Sequence, residues 1–278
     1  MDIYYVNGAF VEEDQAKISV NDLSVIRGFG VFDFLRTYNR IPFHLDDHLH
    51  RLERSARLVG LKLPHSTAKI REITLETLRR NSHTESNIRL VVTGGLSSDG
   101  ITPGDSPQLL IMVTPVKEMP PQWYSEGAKI ITCHVERFMP GAKSINYIPA
   151  ILCQREARQQ QAIEAIYIDR NGYMLEGTTS NLFAFIGDTL VTPPCNRVLP
   201  GITRQVVIRL AEKEFLLVER DLHKDEVRLI DEVFLASTVR EVAPITAIDS
   251  IKIGNGTPGD RSRKIMALFR DYSRSYPG

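Results

Sequence analysis

Apolar and polar residues alternate in several short segments, which predicts β-strands along the whole chain. Residues 3–11 alternate around Asn7-Gly8, the pair most typical of a two-residue hairpin turn. A second turn is expected at Asn39-Arg40, inside a longer strand-like segment. The strand-like segments after the first hairpin are residues 31–45, 87–95, 108–116, 128–135, 163–194 and 232–238.

Other segments show the helical repeat. Leu45, Leu49, Leu52 and Ala56 recur at steps of three and four, which places one apolar stripe along a helix. Gly60 follows as a candidate C-terminal cap, because glycine adopts the left-handed conformation without strain. Further helices are predicted at residues 66–80, 149–161, 203–215 and 261–273.

The order of these elements predicts two α+β domains. Hairpins and helices are mixed without a regular βαβ alternation, and no internal repeat is present. Residues 116–127 contain a Pro-Pro pair and little periodicity, as expected of a connection. We therefore expect a small N-terminal domain over residues 1–118, a linker over 119–126 and a larger domain over 127–278.

The charge balance narrows the possible partners. Lys plus Arg and Asp plus Glu both total 34 in a chain of 278 residues, so the formal net charge is zero. A nucleic-acid-binding protein normally shows a basic excess, and none is present. A small anion held by a few arginines remains possible.

The cysteines and the N-terminus bear on the compartment. Cys133, Cys153 and Cys195 are widely spaced, with no C-x-x-C pair and no Cys/His cluster. This spacing argues against a disulfide framework and against a metal site, and it favours a reducing compartment. The first residues show no signal peptide and no membrane span. We expect a cytoplasmic protein.

The segment "VIRGFGVFDFL" at residues 25–35 raises a separate question about Arg27. Its glycines could begin a dinucleotide-binding loop, but the third glycine of that motif is missing and a strand follows where a helix is needed. The glycines could also form a simple bend. Arg27 would then either form an ion pair, for example with Asp33 or Glu12, or bind an anionic substrate.

Two side chains further along are candidates for chemistry. Lys143 follows Pro-Gly-Ala at a loop-to-helix junction with apolar neighbours, and a lysine in an apolar site can form a Schiff base. Glu176 ends a strand-like segment and precedes small and hydroxyl residues. It could be an exposed turn carboxylate or a buried partner for a protonated ring nitrogen.

Three further features could bind a phosphate. Gly201 precedes Ile202 and Thr203 at a predicted helix start, where free backbone N–H groups favour an anion. Ser237-Thr238 ends an apolar strand. Arg51 lies beside the apolar stripe of its helix, on the face of His48 and Ser55, and its guanidinium suits phosphate geometry.

Together these segments resemble the class IV aminotransferases, the fold type IV pyridoxal-phosphate enzymes. "HLDDHLHRL", "GAKSINY", "LEGTTSNLF", "LPGITR" and "STVREVAPI" occur in the order seen in that family, and the similarity extends from the Asn7-Gly8 hairpin to about Ile248. Each motif alone is weak, but five in order are specific. The family includes branched-chain aminotransferases, D-amino-acid aminotransferases and aminodeoxychorismate lyase.

The resemblance implies roles for named residues around pyridoxal 5′-phosphate. Lys143 matches the lysine that binds the cofactor covalently and then shuttles the proton, and Glu176 matches the carboxylate that keeps the ring nitrogen protonated. Tyr147 resembles the tyrosine at the ring hydroxyl, although typical branched-chain enzymes have one more residue between it and the lysine. The phosphate and ring-face positions match Arg51, Leu199, Ile202, Thr203, Ser237 and Thr238.

The implied activity is ping-pong transamination between an amino acid and a 2-oxo acid such as 2-oxoglutarate. Members of the family are homodimers, and each active site includes residues from the partner. The implied fold has a small N-terminal α/β sandwich and a larger barrel-like C-terminal domain. No nucleic acid or membrane partner is expected.

The substrate depends on two arginines. Arg89 stands where branched-chain enzymes have an arginine near the substrate carboxylate, whereas the arginine of ordinary D-amino-acid enzymes is replaced by Gly94. Arg27 stands where branched-chain enzymes usually have tyrosine. Such a pair resembles a less common subgroup of D-amino-acid aminotransferases that bind carboxylates with two arginines. Phe32 is expected to be a general pocket or core residue, without a specific role in recognising the substrate.

The expected activity is therefore D-amino-acid transamination. L-branched-chain transamination is the alternative, and lyase activity comes third.

Overall fold

A computed structural model describes all residues, 1–278, and divides the chain into two compact units. The first unit comprises Met1–Lys117, Ala142–Asn146 and Tyr276–Gly278, and the second comprises Glu118–Gly141 and Tyr147–Ser275. Two short segments thus belong to the first unit although they lie within the range expected for the C-terminal domain. One of them carries Lys143.

The first unit contains a six-stranded antiparallel sheet and three helices. The strands are β1 (Ile3–Val6), β2 (Ala9–Glu12), β3 (Gly30–Tyr38), β4 (Ile41–Pro42), β5 (Ser86–Thr93) and β6 (Gln108–Pro115). The helices are α1 (Leu23–Arg27), α2 (Leu45–Leu58) and α3 (Thr67–Arg79), with a 3-10 turn at Glu13–Gln15.

The sheet has the order β2-β1-β6-β5-β3-β4. Asn7 and Gly8 both have positive φ, as a two-residue hairpin turn requires, and Asn39 and Arg40 do the same between β3 and β4. The apolar stripe of α2 packs against one face of the sheet, together with residues such as Leu35, Ile88 and Ile111. The expected hairpins and the expected helix are confirmed.

The second unit contains ten strands and four helices. The strands are β7 (Ala128–His134), β8 (Glu164–Ile168), β9 (Tyr173–Gly177), β10 (Asn181–Ile186), β11 (Thr189–Thr192), β12 (Leu216–Glu219), β13 (Leu222–His223), β14 (Glu232–Ser237), β15 (Glu241–Ile248) and β16 (Ile251–Lys252). The helices are α4 (Gln122–Ser125), α5 (Ile148–Gln159), α6 (Ile202–Ala211) and α7 (Asp260–Arg274), with a 3-10 turn at Lys224–Leu229.

This second sheet closes on itself. Its order is β12-β11-β10-β14-β15-β7-β8-β9-β13, and an additional pairing joins β10 to β9 through Asn181 and Glu176. The closure turns six of the strands into a barrel whose interior is filled by residues such as Ile130, Ile166 and Leu235. The barrel-like second domain expected from the sequence is confirmed.

Two short helices were not predicted. Helix α1 ends directly before Gly28, in a segment interpreted from the sequence as a bend into a strand. Helix α4 lies in the expected linker. Both have five residues or fewer, which is too short to produce a recognisable helical repeat.

The cysteine prediction was wrong. Cys133 on β7 and Cys153 on α5 form a disulfide, with Cα atoms 6.3 Å apart, and Cys195 is free and exposed. The two partners lie far apart in sequence and meet only because α5 packs against β7. Spacing along the chain therefore gave no sign of this pair, and it no longer supports an argument about the compartment.

No helix has both the length and the apolar character needed to cross a membrane.

Candidate functional site

The predicted site residues divide between the two units. The first unit holds the lysine, the arginines and the phenylalanine: Arg27, Phe32, Arg51, Arg89 and Lys143. The second unit holds the carboxylate and the remaining predicted cofactor contacts: Tyr147, Glu176, Leu199, Ile202, Thr203, Ser237 and Thr238.

Lys143 is fixed to the first unit by its backbone. Its carbonyl accepts a hydrogen bond from the Phe32 N–H at 2.9 Å, and its own N–H donates to Ser55 Oγ on α2 at 3.1 Å. The neighbouring Ser144 bridges to Val31, so this segment lies along β3 as a short extra strand. The Lys143 amine is 4.7 Å from the centroid of the Phe32 ring. The lysine is therefore anchored on a rigid sheet.

Arg51 belongs to a buried cluster of charged groups between α2 and β3. Its Nε and Nη2 donate to the two oxygens of Asp33 at 2.9 and 2.7 Å, and His48 Nδ1 is 2.6 Å from Asp33 Oδ1. Asp33 and His48 are almost completely buried. This bidentate pair fixes the plane of the guanidinium. Arg51, His48 and Ser55, which share one face of α2, are all buried.

The pKa values within this cluster are shifted. Burial alone would raise the pKa of Asp33, but Arg51 and His48 together hold it well below its usual range. Burial lowers the pKa of His48, and the positive charges of Arg51 and Lys143 lower it further against the opposing effect of Asp33. His48 is therefore neutral near pH 7, and its Nδ1–H donates to the Asp33 carboxylate.

Arg89 lies on the opposite face of β3 and β5 from this cluster. In the sheet it pairs with Phe34, and its guanidinium carbon is 4.9 Å from the Phe34 ring centroid and 5.3 Å from that of Phe32. Arg89 is exposed. Lys143 and Arg89 thus both contact the Phe32 ring.

Arg27 is the last residue of α1. Asp22 caps the helix through Ser24 N at 2.7 Å, and Gly28 ends it with a φ of 64°. The Arg27 side chain is exposed, and its Nη1 donates to the Ile26 carbonyl at 2.9 Å. Asp33, one of its expected partners, is instead occupied by Arg51 and His48. The expected alternative of an ion pair to Asp33 is excluded.

Gly94 occupies the position where ordinary D-amino-acid enzymes were expected to have an arginine. A Cβ atom there would lie 2.6 Å from the Phe29 ring and 3.0 Å from Leu23 Cβ. Both neighbours belong to the segment that carries α1. The first unit therefore has no room for a side chain at residue 94 while α1 occupies this position.

Glu176 is buried at the end of β9. Its Oε1 accepts a hydrogen bond from Arg137 Nη1 at 2.8 Å, and its Oε2 accepts one from the Leu199 N–H at 2.9 Å. Asn181 reaches the Leu199 carbonyl at 2.9 Å, so the β9–β10 connection also holds the Leu199 segment. The interpretation of Glu176 as an exposed turn carboxylate is wrong.

A cavity of about 210 Å³ opens beside this carboxylate. Burial raises the pKa of Tyr167 in its wall, as do Glu176 and Tyr147, while Arg137 opposes the change. Tyr147 itself lies immediately before α5, as its N-cap residue. The cavity is lined by Glu136, Arg137, Pro140, Tyr167, Leu175, Glu176, Asn196 and Arg197.

The start of α6 has the form of an anion site. Ile202 and Thr203 are buried in its first turn, and no side chain caps the helix, so its first N–H groups lack a capping oxygen. A Cβ on Gly201 would lie 2.1 Å from Asn181 Oδ1, so a larger residue before the helix would displace the Asn181 side chain or the helix start. Ser237 ends β14, against which α6 packs, and Thr238 begins the turn to β15.

Four residues that contact the candidate site were not identified as candidates from the sequence. Arg137 and Tyr167 were not considered, Asp33 was considered only as an ion-pair partner for Arg27, and Ser55 was noted only for its helix face. Asp33 could have been found, because it interrupts the alternation of β3 with a charge at a core position. The positions of Arg137 and Tyr167 depend on tertiary contacts alone.

Comparisons with known proteins give a consistent result. The family profile described as amino-transferase class IV matches residues 30–248. A Methanocaldococcus jannaschii protein provisionally named a branched-chain-amino-acid aminotransferase is 36% identical over 96% of this chain and 95% of its own. The D-alanine aminotransferase of Bacillus licheniformis is 32% identical over 95% of each chain.

A solved structure agrees with these relatives. The branched-chain amino acid aminotransferase of T.th. with pyridoxamine 5′-phosphate superposes with a TM-score of 0.92 at 29% identity, covering 99% of this chain and 95% of that one.

Proposed function

The chain belongs to the amino-transferase class IV family and is a transaminase, and from this premise we propose that it uses pyridoxal 5′-phosphate to transfer an amino group from a D-amino acid to a 2-oxo acid. The observation that carries the choice of substrate is Arg27, an exposed cation that forms no ion pair within its own unit. The family membership itself does not decide between D- and L-amino acids.

The residues present fit the proposed cofactor. Lys143 supplies an amine on a rigid backbone, and the uncapped start of α6 suits a phosphate. Glu176 is a buried carboxylate paired with Arg137, as a partner for a protonated ring nitrogen should be. We propose that the phosphate is bound by Arg51, Ile202, Thr203, Ser237 and Thr238, with Leu199 on the ring face and Tyr147 at the ring hydroxyl.

Pyridoxal 5′-phosphate, when bound, supplies an electron sink that makes the substrate Cα–H acidic. The chain's own residues would then perform the steps around it. Lys143 Nζ would take the proton from the substrate Cα in the first half-reaction. It would return a proton to Cα in the second half-reaction. Glu176 Oε1 and Oε2 stay in place because Arg137 and the Leu199 N–H hold them. The ring-nitrogen proton is thereby kept.

Two arginines would bind the substrate carboxylates. Arg89 and the Lys143 amine both contact the Phe32 ring. Arg27 would supply a second fork, so that the pair binds one carboxylate from two sides or both carboxylates of a five-carbon dicarboxylate such as 2-oxoglutarate. The absence of space at Gly94 supports this arrangement, because the ordinary D-amino-acid arginine does not fit there.

We further propose a homodimer in which Arg27 serves the partner's site. Gly30 pairs with Thr93 while Phe34 pairs with Arg89, so Arg27 lies beyond the end of the strand pair. The distance along β5 from Thr93 to Arg89 is roughly 13 Å at strand spacing. A second copy of the chain is therefore the better source of the second arginine for a substrate on Lys143.

The alternative is transamination of L-branched-chain amino acids. It is favoured by the name of the Methanocaldococcus jannaschii relative, and Arg89 would serve that reaction equally well. The two candidates differ in the use of Arg27, since a branched aliphatic side chain offers it no anion.

The cofactor and the choice of enantiomer can be tested together. Purified protein should show a visible absorbance band that borohydride abolishes, and mass spectrometry should then find the reduced cofactor on Lys143. Incubation with racemic glutamate and a 2-oxo acid should consume the D-enantiomer, as measured by chiral chromatography. A colourless protein that gains no band with added cofactor would contradict the first part, and consumption of L-glutamate alone would contradict the second.

A further inference from the structure

A buried carboxylate in the second unit has no part in the chemistry above. Glu164 on β8 is completely buried, and both of its oxygens accept hydrogen bonds from several directions. The donors come from α5, from the loop after β9 and from the turn after β14, which are far apart in sequence. We call this cluster the Glu164 hub; its members are Gln154, Glu164, Thr178, Thr179, Ser180 and Arg240.

The Oε1 atom of Glu164 binds helix α5 and the start of the loop that follows β9. Oε1 accepts from Gln154 Nε2 on α5 and from Thr178 Oγ1, and also from the Ala165 N–H at 3.1 Å. Gln154 in turn donates to Thr178 at 2.7 Å. The loop that follows β9, two residues after Glu176, is therefore tied to α5, the helix that begins directly after Tyr147.

The Oε2 atom of Glu164 binds the same loop and also the turn that follows β14. Oε2 accepts from Thr179 Oγ1 at 2.8 Å and from Arg240 Nη1 at 3.1 Å, with a longer bond from Ser180. Arg240 Nη1 also donates to Thr179 Oγ1 at 2.9 Å, and its Nη2 donates to the Ile163 carbonyl at 3.0 Å. A carboxylate whose lone pairs are used in this way holds its donors in one geometry.

Arg240 also contacts the residues proposed to bind the phosphate. It is the last residue of the turn Thr238–Arg240 that joins β14 to β15, and its N–H donates to Ser237 Oγ at 3.1 Å. The Tyr124 hydroxyl donates to its carbonyl at 3.2 Å, so the turn is held from both ends. Ser237 and Thr238 are the two residues proposed above to bind the cofactor phosphate.

We propose that Arg240 and Glu164 are positioning residues that hold the Ser237–Thr238 turn in the geometry needed to bind the cofactor's phosphate group. This inference rests on the proposed function, because it assumes that Ser237 and Thr238 bind that phosphate. Neither residue touches the cofactor in this account. Their effect is specific to the phosphate and leaves the binding of the aldehyde to Lys143 unchanged.

The test compares pyridoxal 5′-phosphate with pyridoxal, which lacks the phosphate. Both aldehydes are titrated into the full-length chain after its cofactor has been removed, with the visible absorbance band as the signal. Wild-type protein should bind the phosphate ester much more tightly than pyridoxal. Arg240→Met should raise the Kd for the phosphate ester about tenfold while the Kd for pyridoxal changes less than about twofold. The Kd of Arg240→Lys for the phosphate ester should lie between those of wild type and Arg240→Met.

Two further variants separate this role from general stability. Thr179→Val removes hydrogen bonds of the hub without changing its charge and should shift the same Kd in the same direction by a smaller factor. Arg261→Met breaks a different partly buried Arg–Glu pair, to Glu232 at 3.0 Å, and should leave both Kd values unchanged. Thermal unfolding of each variant shows whether it is folded.

Each outcome has a clear meaning. If Arg240→Met and Thr179→Val weaken both aldehydes by the same factor, or neither aldehyde, the positioning role is wrong while the proposed function stands. If wild-type protein binds both aldehydes equally, the assignment of the phosphate contacts is wrong and this proposal fails with it. Wild-type protein that binds neither aldehyde would overturn the proposed cofactor as well.

Discussion

At the scale of single residues, the charged groups of the proposed site fall into two kinds, buried and exposed. Arg51 and Glu176 are buried, and each forms an ion pair that fixes its orientation. Arg27 and Arg89 are exposed, and Arg89 contacts aromatic rings. Buried pairs hold a geometry, whereas exposed guanidinium groups can bind a ligand carboxylate. This difference separates the proposed cofactor contacts from the proposed substrate contacts.

Removal of Arg27 should damage substrate binding without affecting the cofactor. We expect Arg27→Ala to lower kcat/KM for D-glutamate about 100-fold, because charge-assisted bonds to the carboxylate are lost. The visible absorbance of the bound cofactor should be unchanged. Arg57→Ala, an exposed arginine in the last turn of α2, is the matched control and should behave as wild type. Loss of cofactor absorbance in Arg27→Ala would instead make Arg27 structural.

At the scale of elements, β3 and α2 carry one half of the proposed site and α6 with β9 and β14 carries much of the other. The sequence predicted most of these elements, because an apolar stripe defines α2 and Asn-Gly defines the first hairpin. It could not predict that the segment around Lys143 would lie along β3, or that Cys133 would meet Cys153. Those contacts depend on tertiary packing, which leaves no periodic pattern in the chain.

The contact between α2 and β3 predicts a pH dependence of stability. Burial lowers the pKa of His48, so the unfolded chain binds a proton there more readily than the folded chain does. The stabilisation is complete above the ordinary histidine pKa of about 6.5 and is lost as pH falls below it. Urea unfolding should show the free energy of unfolding falling by about 1 kcal/mol between about pH 7.5 and 5.5.

Two substitutions on α2 attribute this loss to one residue. His48→Gln should flatten the dependence, since glutamine does not titrate. His50→Gln, an exposed histidine on the same helix, should keep the wild-type slope. Equal slopes in His48→Gln and wild type would show that another group is responsible.

Substitution of the glycine before α6 should weaken cofactor binding. Gly201→Ala places a Cβ 2.1 Å from Asn181 Oδ1, so the buried Asn181 side chain or the first turn of α6 must shift. We expect the Kd for pyridoxal 5′-phosphate to rise at least about tenfold, because the helix N–H groups move away from the phosphate. Fluorescence titration measures this Kd.

The control for Gly201 separates strain from displacement of the site. Gly187 also lies in the second unit and has a φ of 54°, with open space around its Cβ position. Gly187→Ala should therefore lower the melting temperature through backbone strain but leave the Kd for the cofactor unchanged. If both variants bind cofactor as wild type does, α6 does not hold the phosphate.

At the scale of the whole molecule, we propose that the complete site requires two copies of the chain. The five ordered motifs resembled a family with shared active sites, and the fold and the family are confirmed. The position of Arg27 beyond the end of β3 makes the proposal testable.

Mixed dimers should reveal which subunit supplies Arg27. Lys143→Ala and Arg27→Ala should each be nearly inactive alone. When they are co-expressed, a mixed dimer has one site with Lys143 from one subunit and Arg27 from the other. Random pairing should then restore about a quarter of wild-type activity, measured with D-glutamate. Activity that stays at the level of Arg27→Ala alone would show that both residues act within one chain.

The choice between D- and L-amino acids is tested most directly by the first half-reaction. Stopped-flow absorbance can follow the cofactor-loaded protein as it takes the amino group from D-glutamate, L-glutamate or L-leucine in a single turnover. We predict conversion by D-glutamate at least about 100-fold faster than by L-leucine, with no measurable conversion by L-glutamate. Rapid conversion by L-leucine and none by D-glutamate would contradict the proposed role of Arg27.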